Sequence, residues 1–202
     1  MGYPEIVVTG MGLVSSLGHD LETSWKNAIS ASDPFRPVPY FDASAEKSEM
    51  AAPLPSPPAS DPRFPRSSRT DLMSLAAAQA AVQDSGLGPL ISKAGLFLGA
   101  GTGGLHLTET CFAEWTQNGK PANIQDFYVH NGDATTQIVA ESLGLEGPLR
   151  SVMTACSSSV LAMAEAIDQM RTGQLDICLV GGADAITRLT HAGFNSLSAV
   201  DP

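Results

Sequence analysis

Long apolar runs are missing from this chain. None approaches the ~20 residues that a membrane-spanning helix needs, so no span is expected. Charge is sparse at 16% of 202 residues, and basic charge is sparser still, with 11 Lys and Arg against 21 Asp and Glu. The net charge of −10 argues against a nucleic-acid groove or an anionic membrane surface as partner. The densest cationic group, Arg63, Arg66 and Arg69, reads as a solvated loop or as a small basic spot able to meet an acidic protein. Paired cysteines are missing too. Cys111, Cys156 and Cys178 are odd in number and widely spaced, with no CxxC or Cys/His pattern, so neither a metal site nor a disulfide framework is implied. Met1-Gly2-Tyr3-Pro4-Glu5 lacks a basic leader and a long apolar core, and Ile6 stands where a myristoylation signal needs Ser or Thr. A cytoplasmic, reducing setting is the expectation.

What is present is enough apolar residue, 43%, for one domain with a real core. Glu5–Thr9, Ala94–Leu98, Leu149–Thr154 and Ile177–Val180 read as short buried strands. Between them lie helices: one capped by Asp20, with Leu21, Trp25, Ala28 and Ile29 on one side; Leu72–Asp84, capped by Thr70 or Asp71; Leu105–Trp115; and Ala134–Leu143. Ser157–Met170 completes the set, with Val160, Met163, Ala164, Ile167 and Met170 expected inward. Asn118–His130 reads as turns. Nine of the fourteen prolines fall between Asp33 and Pro65, which reads as a surface excursion within the domain. Alternating strands and helices give an α/β class with a layered, largely parallel sheet.

Two glycine-rich turns, Gly99–Gly104 and Gly10–Ser15, imitate a dinucleotide fingerprint. That fingerprint needs a second strand about 20 residues on, ending in an acid for the ribose. After the first, the chain runs into Asn118-Gly119-Lys120-Pro121; after the second, into Pro34, Pro37 and Pro39. Tight turns in a packed core are the better reading. No Walker motif and no G-x-S-x-G elbow occurs.

Cys156 lies where the third strand hands over to a helix, in Ser151-Val152-Met153-Thr154-Ala155-Cys156-Ser157-Ser158-Ser159. A thiol at a helix start meets the positive end of the helix dipole and unpaired backbone N–H groups, which favour thiolate, the nucleophilic form. The small neighbours leave room for a bulky thioester. A buried structural cysteine is the competing reading, and position alone does not choose between them.

The run from Gly147 to Met163 resembles the active-site signature of the β-ketoacyl synthases, the condensing enzymes of fatty-acid and polyketide assembly, at Gly147, Val152, Ala155, Cys156, Ser157, Ser158, Ser159 and Met163. Val7–Gly12 with Gly18 and Trp25, Arg69–Leu87, Gly99–Leu105 and Val180–Asp184 are similar to other parts of that family. The resemblance implies the N-terminal half of a thiolase-like fold, with a mostly parallel five-stranded sheet between helices, spanning residues 1–202. It also implies a homodimer or a paired condensing-enzyme subunit, joined antiparallel along the strand before the cysteine. Cys156 would be the catalytic nucleophile, accepting an acyl group from the phosphopantetheine of an acyl carrier protein. A malonyl thioester would then decarboxylate and condense with it. The Cys156 N–H would be one oxyanion donor, and no cofactor is implied. Thr102 and Phe194 fall on substrate-pocket positions, and Ser198 stands where many relatives carry arginine.

The sequence stops about halfway along such an enzyme. The family's two catalytic histidines, its lysine and its second oxyanion loop are not in it, and His19, His106, His130 and His191 match none of those positions. The chain is therefore expected to supply the nucleophile half and to need a complementary C-terminal half. The face built for that half should be a large apolar patch. The alternative is a non-catalytic, chain-length-factor-like subunit that shapes the pocket and docks the carrier. A Cys/His hydrolase would require a placed histidine that no position supplies.

Overall fold

A computed structural model describes residues 5–120 and 123–201. The leader reading on Met1–Pro4 and the turn at Pro121 lie outside the described residues. Three parallel strands form the sheet: β3 (Gly95–Gly99) in the centre, with β4 (Leu149–Val152) and β5 (Cys178–Gly182) on either side. A separate antiparallel ribbon pairs β1 (Arg36–Pro37) with β2 (Met50–Ala51) inside the proline-rich excursion. Prolines withhold ladder donors, which keeps that ribbon to two residues a side.

β3 is buried along its whole length, and its side chains alternate between two cores. Leu96 and Leu98 join Leu75 of helix α2 (Arg69–Ser85) and Val139 and Ala140 of α4 (Gly132–Leu143). Phe97 points the other way, onto Ala162 and Ala166 of α5 (Ser158–Arg171). Period-two alternation on one strand thus builds two helical layers around one sheet. The α/β class and layered arrangement match the sequence reading, although the described residues hold three strands of the sheet rather than five.

The expected strand at Glu5–Thr9 has no ladder partner among the described residues, and Val7 and Val8 are exposed. A β-branched apolar run makes a strand only where a sheet edge receives it. Here the chain instead runs along α2, with Met11 N–H donating to Asp84 at 2.9 Å. A Cβ on Gly12 would fall 1.9 Å from the Ala77 carbonyl oxygen, so the glycines serve close packing.

α2 begins one turn earlier than the sequence suggests. Ser68 is the cap, and Asp71 completes a reciprocal capping box with it. Helix α1 (Leu21–Ile29) docks through its polar side, Asn27 donating to Leu17 carbonyl at 2.6 Å and Ser24 to Gly18 at 3.3 Å. Its apolar side, Leu21, Trp25, Ala28 and Ile29, therefore faces out. α5 also departs from expectation. Ser158, Ala162 and Ala166 are its buried stripe, Ile167 and Met170 are half-buried, and Val160, Met163 and Ala164 are exposed. The helix sits so close to the sheet that only small side chains fit beneath it.

α3 (Leu105–Asn118) follows the β3 turn. α6 (Arg188–Ser196) was not anticipated in the sequence. Thr187 caps it, and Glu109 of α3 accepts from Arg188 N–H at 3.1 Å and Leu189 N–H at 2.6 Å, satisfying donors a helix start leaves open. The excursion is anchored on α6, where the buried Asn195 accepts from Ser48 N–H at 2.8 Å.

Candidate active site

The C-terminal ends of all three strands meet at one edge, with Gly99 level with both Val152 and Gly182. The crevice beyond such an edge is where parallel α/β sheets place their chemistry. Gly99 and Gly182 let α5 descend onto it. A Cβ on Gly99 would lie 2.5 Å from Ser159 N, and one on Gly182 would lie 2.7 Å from Ser159 Cβ. The Gly99 turn that imitates a nucleotide site thus seats helix α5, and the chain from β4 must turn sharply to enter it.

That turn carries Cys156. Residues Ala155–Ser157 form a single 3-10 turn between β4 and α5, and Ala155 has φ of 53°. The left-handed region costs a residue with a side chain about 1–2 kcal/mol, and such strain collects at functional sites. Ser157 N–H bonds the Thr154 carbonyl at 3.3 Å, closing the turn. No side chain caps α5, because Ser157 Oγ bonds back to the Thr154 carbonyl at 2.9 Å. No acidic residue sits in its first turn, so nothing within the helix itself offsets its positive end, which is directed at the cysteine loop.

The three cysteines separate cleanly. Cys156 is exposed and opens on a cleft of about 180 Å³ walled by Gly99, Ser159, Gly182, Ala183 and Asp184. Cys111 is buried in α3, its thiol donating to the Asn123 carbonyl at 3.3 Å, and burial pushes its pKa up. Cys178 packs beside Phe97, and burial raises it as well. Desolvation keeps both as thiols.

Thr102 comes to this cleft through Asp184, whose carboxylate accepts from Thr102 N–H at 2.6 Å and Thr102 Oγ1 at 2.8 Å. In the sequence Asp184 is marked only as the end of a strand-end motif, an acid two residues past Gly181-Gly182. Phe194 lies elsewhere, on α6 in a larger cleft of about 400 Å³ with Ala51, Ile186, His191 and Val200. Ser198 accepts a bond from Lys47.

None of the histidines walls the Cys156 cleft. His19 bonds Ser56 at 3.0 Å, His130 bonds Thr108 at 3.1 Å, and His191 sits between Asn195 and the Met50 carbonyl. Burial, then the Arg69 charge, push His106 down to about 4. The cationic group is largely absorbed as well: Arg63 pairs with Asp61 at 2.6 Å, and Arg69 stacks 4.2 Å over Tyr40 while donating to the Ile186 carbonyl.

Residues 4–202 match the sequence pattern of the family described as Beta-ketoacyl synthase, N-terminal domain. The 3-oxoacyl-[acyl-carrier-protein] synthase 2 of Staphylococcus aureus (strain COL) is 28% identical, covering 96% of this chain and 49% of that protein. Nodulation protein E of Rhizobium sp. (strain N33) is 29% identical over 89% of this chain and 46% of its own length. A beta-ketoacyl synthase from Burkholderia phymatum STM815 superposes with a TM-score of 0.82 at 25% identity, covering 96% of this chain and 50% of that one. The ishigamide ketosynthase/chain length factor superposes at 0.88 with 24% identity, over 100% of this chain and 52% of that one, a likeness of fold. The chain thus spans about half the length of the relatives it matches. With a thiolase-like α/β fold and a family match over nearly its whole length, this chain belongs to the β-ketoacyl synthase family and corresponds to its N-terminal domain.

Proposed function

We propose that this chain supplies the nucleophile half of a decarboxylating condensing enzyme. The observation that carries the reading is Cys156: an exposed thiol on a strained turn between a parallel strand and an uncapped helix start. In the proposed cycle, Cys156 Sγ attacks the carbonyl of an acyl thioester held on the phosphopantetheine of an acyl carrier protein. The carrier thiol leaves, giving acyl-Cys156. A malonyl thioester then loses CO2, and its carbanion attacks the acyl-Cys156 carbonyl. The C–S bond breaks, releasing the β-ketoacyl thioester and regenerating the thiolate. The small residues around the cleft admit the thioester, and Thr102, pinned by Asp184, borders the acyl path. Phe194 would join that path only once a complementary half covers the ground between the two clefts.

The missing bases would come from that complementary C-terminal half. The outer edge of β4, which has no strand partner among the described residues, is where a second subunit would pair. The test is Cys156→Ala in the enzyme assembled with its complement. Condensation from acyl and malonyl thioesters should fall by roughly 10³-fold or more, as for loss of a covalent nucleophile. Full condensation in that variant would overturn the proposal and favour a chain-length-factor-like role.

A further inference from the structure

The loop that carries Cys156 is held by one buried hydroxyl. Ser158 is 4% exposed, and its Oγ donates to the Ala155 carbonyl at 2.7 Å while accepting from Thr154 N–H at 2.9 Å. Those two bonds straddle the cysteine and terminate on the residue with left-handed backbone and the one before it. We propose that Ser158 is a positioning residue whose hydroxyl locks Ala155 in its left-handed conformation, so that the Cys156 sulfur stays at the mouth of α5; this rests on the reading of Cys156 as the reacting thiol.

Other hydroxyls on the turn do not duplicate the lock. Ser157 is exposed and reaches only the Thr154 carbonyl and hydroxyl, leaving the Ala155 carbonyl untouched. Ser158 cannot drift, because its backbone is wedged against Gly99, where an added Cβ would meet Ser158 C at 2.6 Å. Removing its Oγ would take the side-chain partner from both the Thr154 N–H and the Ala155 carbonyl, leaving the latter only its bond from the Ser158 N–H. Ala155 would then be free to leave a region that L-residues disfavour.

The experiment follows the alkylation rate of Cys156 by iodoacetamide in the assembled protein, with buried Cys111 and half-buried Cys178 as reporters of unfolding. Ser158→Ala should slow Cys156 alkylation about tenfold, the rate equivalent of the lost left-handed preference, while both reporters keep the rates they show in the parent. Adding Ala155→Gly to that variant should restore the rate, since glycine holds positive φ without a lock. A merely structural serine would not be rescued in this way. An unchanged rate in Ser158→Ala, or no rescue by Ala155→Gly, overturns the inference. Should Ser158→Ala expose the reporters, Ser158→Thr decides: a rate near the wild type upholds the lock, and a tenfold loss refutes it. Alkylation needs no condensing activity, so failure of the lock and failure of the proposed function read out separately.

Discussion

His106 carries the clearest titration consequence of any single residue in this molecule. It stands in the first turn of α3, facing the Arg69 guanidinium, with Nδ1 buried and unbonded, and its pKa falls to about 4. In an unfolded chain a histidine titrates near 6.5. The folded value is lower, so the unfolded state binds the extra proton first. Stability is therefore complete above pH 6.5 and is lost as pH falls from 6.5 through 4. Discounted for the part of the ring that solvent reaches, the loss is on the order of 1 kcal/mol. Asp61, held at about 2 by Arg63, titrates below this window. Urea midpoints at pH 7 and pH 4.5 should therefore differ less in His106→Gln than in the parent. An identical difference in both would exclude His106 as the source.

At this same scale the sequence was legible where the information is local. Cys156 announced itself through its own neighbours: a strand, a run of small residues and a helix. Ser158 lay in the same motif, but its part depends on the direction of a hydroxyl. Asp184 and Glu109 were not readable, because each acts on residues about 80 positions away, Thr102 in one case and the start of α6 in the other.

Among the elements, α5 explains most. Its apolar spacing marks a helix, but the face that spacing points inward is largely exposed. The sheet side is a stripe of small residues four apart, Ser158, Ala162 and Ala166, set by the descent of the helix onto Gly99 and Gly182. Val160 and Met163 form a second apolar face, and periodicity cannot say which of two such faces meets the sheet. Gly99→Ala tests the descent. Its Cβ would press on backbone at Ser159, so α5 must shift. A loss of about 1–3 kcal/mol, typical of overpacking, should appear in chemical denaturation together with slower Cys156 alkylation. Parent-like stability and reactivity would mean the close approach does not position the cysteine. The Glu5–Thr9 segment teaches the same lesson from the other side: composition proposes a strand, and only an available sheet edge makes one.

For the molecule as a whole, exposed apolar side chains on the N-terminal segment, α1, α3 and α5 sit beside a well-formed two-sided core. Val8, Trp25, Phe112 and Val160 are all more than half exposed. Together with a length about half that of its relatives, this is the surface expected of a unit that packs against a complement. The proposed nucleophile, Cys156, and its helix belong to this unit, and the bases are proposed to lie elsewhere. The most direct measurement is the mass of the peptide containing Cys156 after the assembled enzyme has been incubated with an acyl-carrier thioester and quenched. The account predicts one acyl group on Cys156, none on Cys111 or Cys178, and discharge of that adduct when a malonyl thioester is added. Formation of the β-ketoacyl product with Cys156 never acylated, or with the acyl group on another residue, would contradict it.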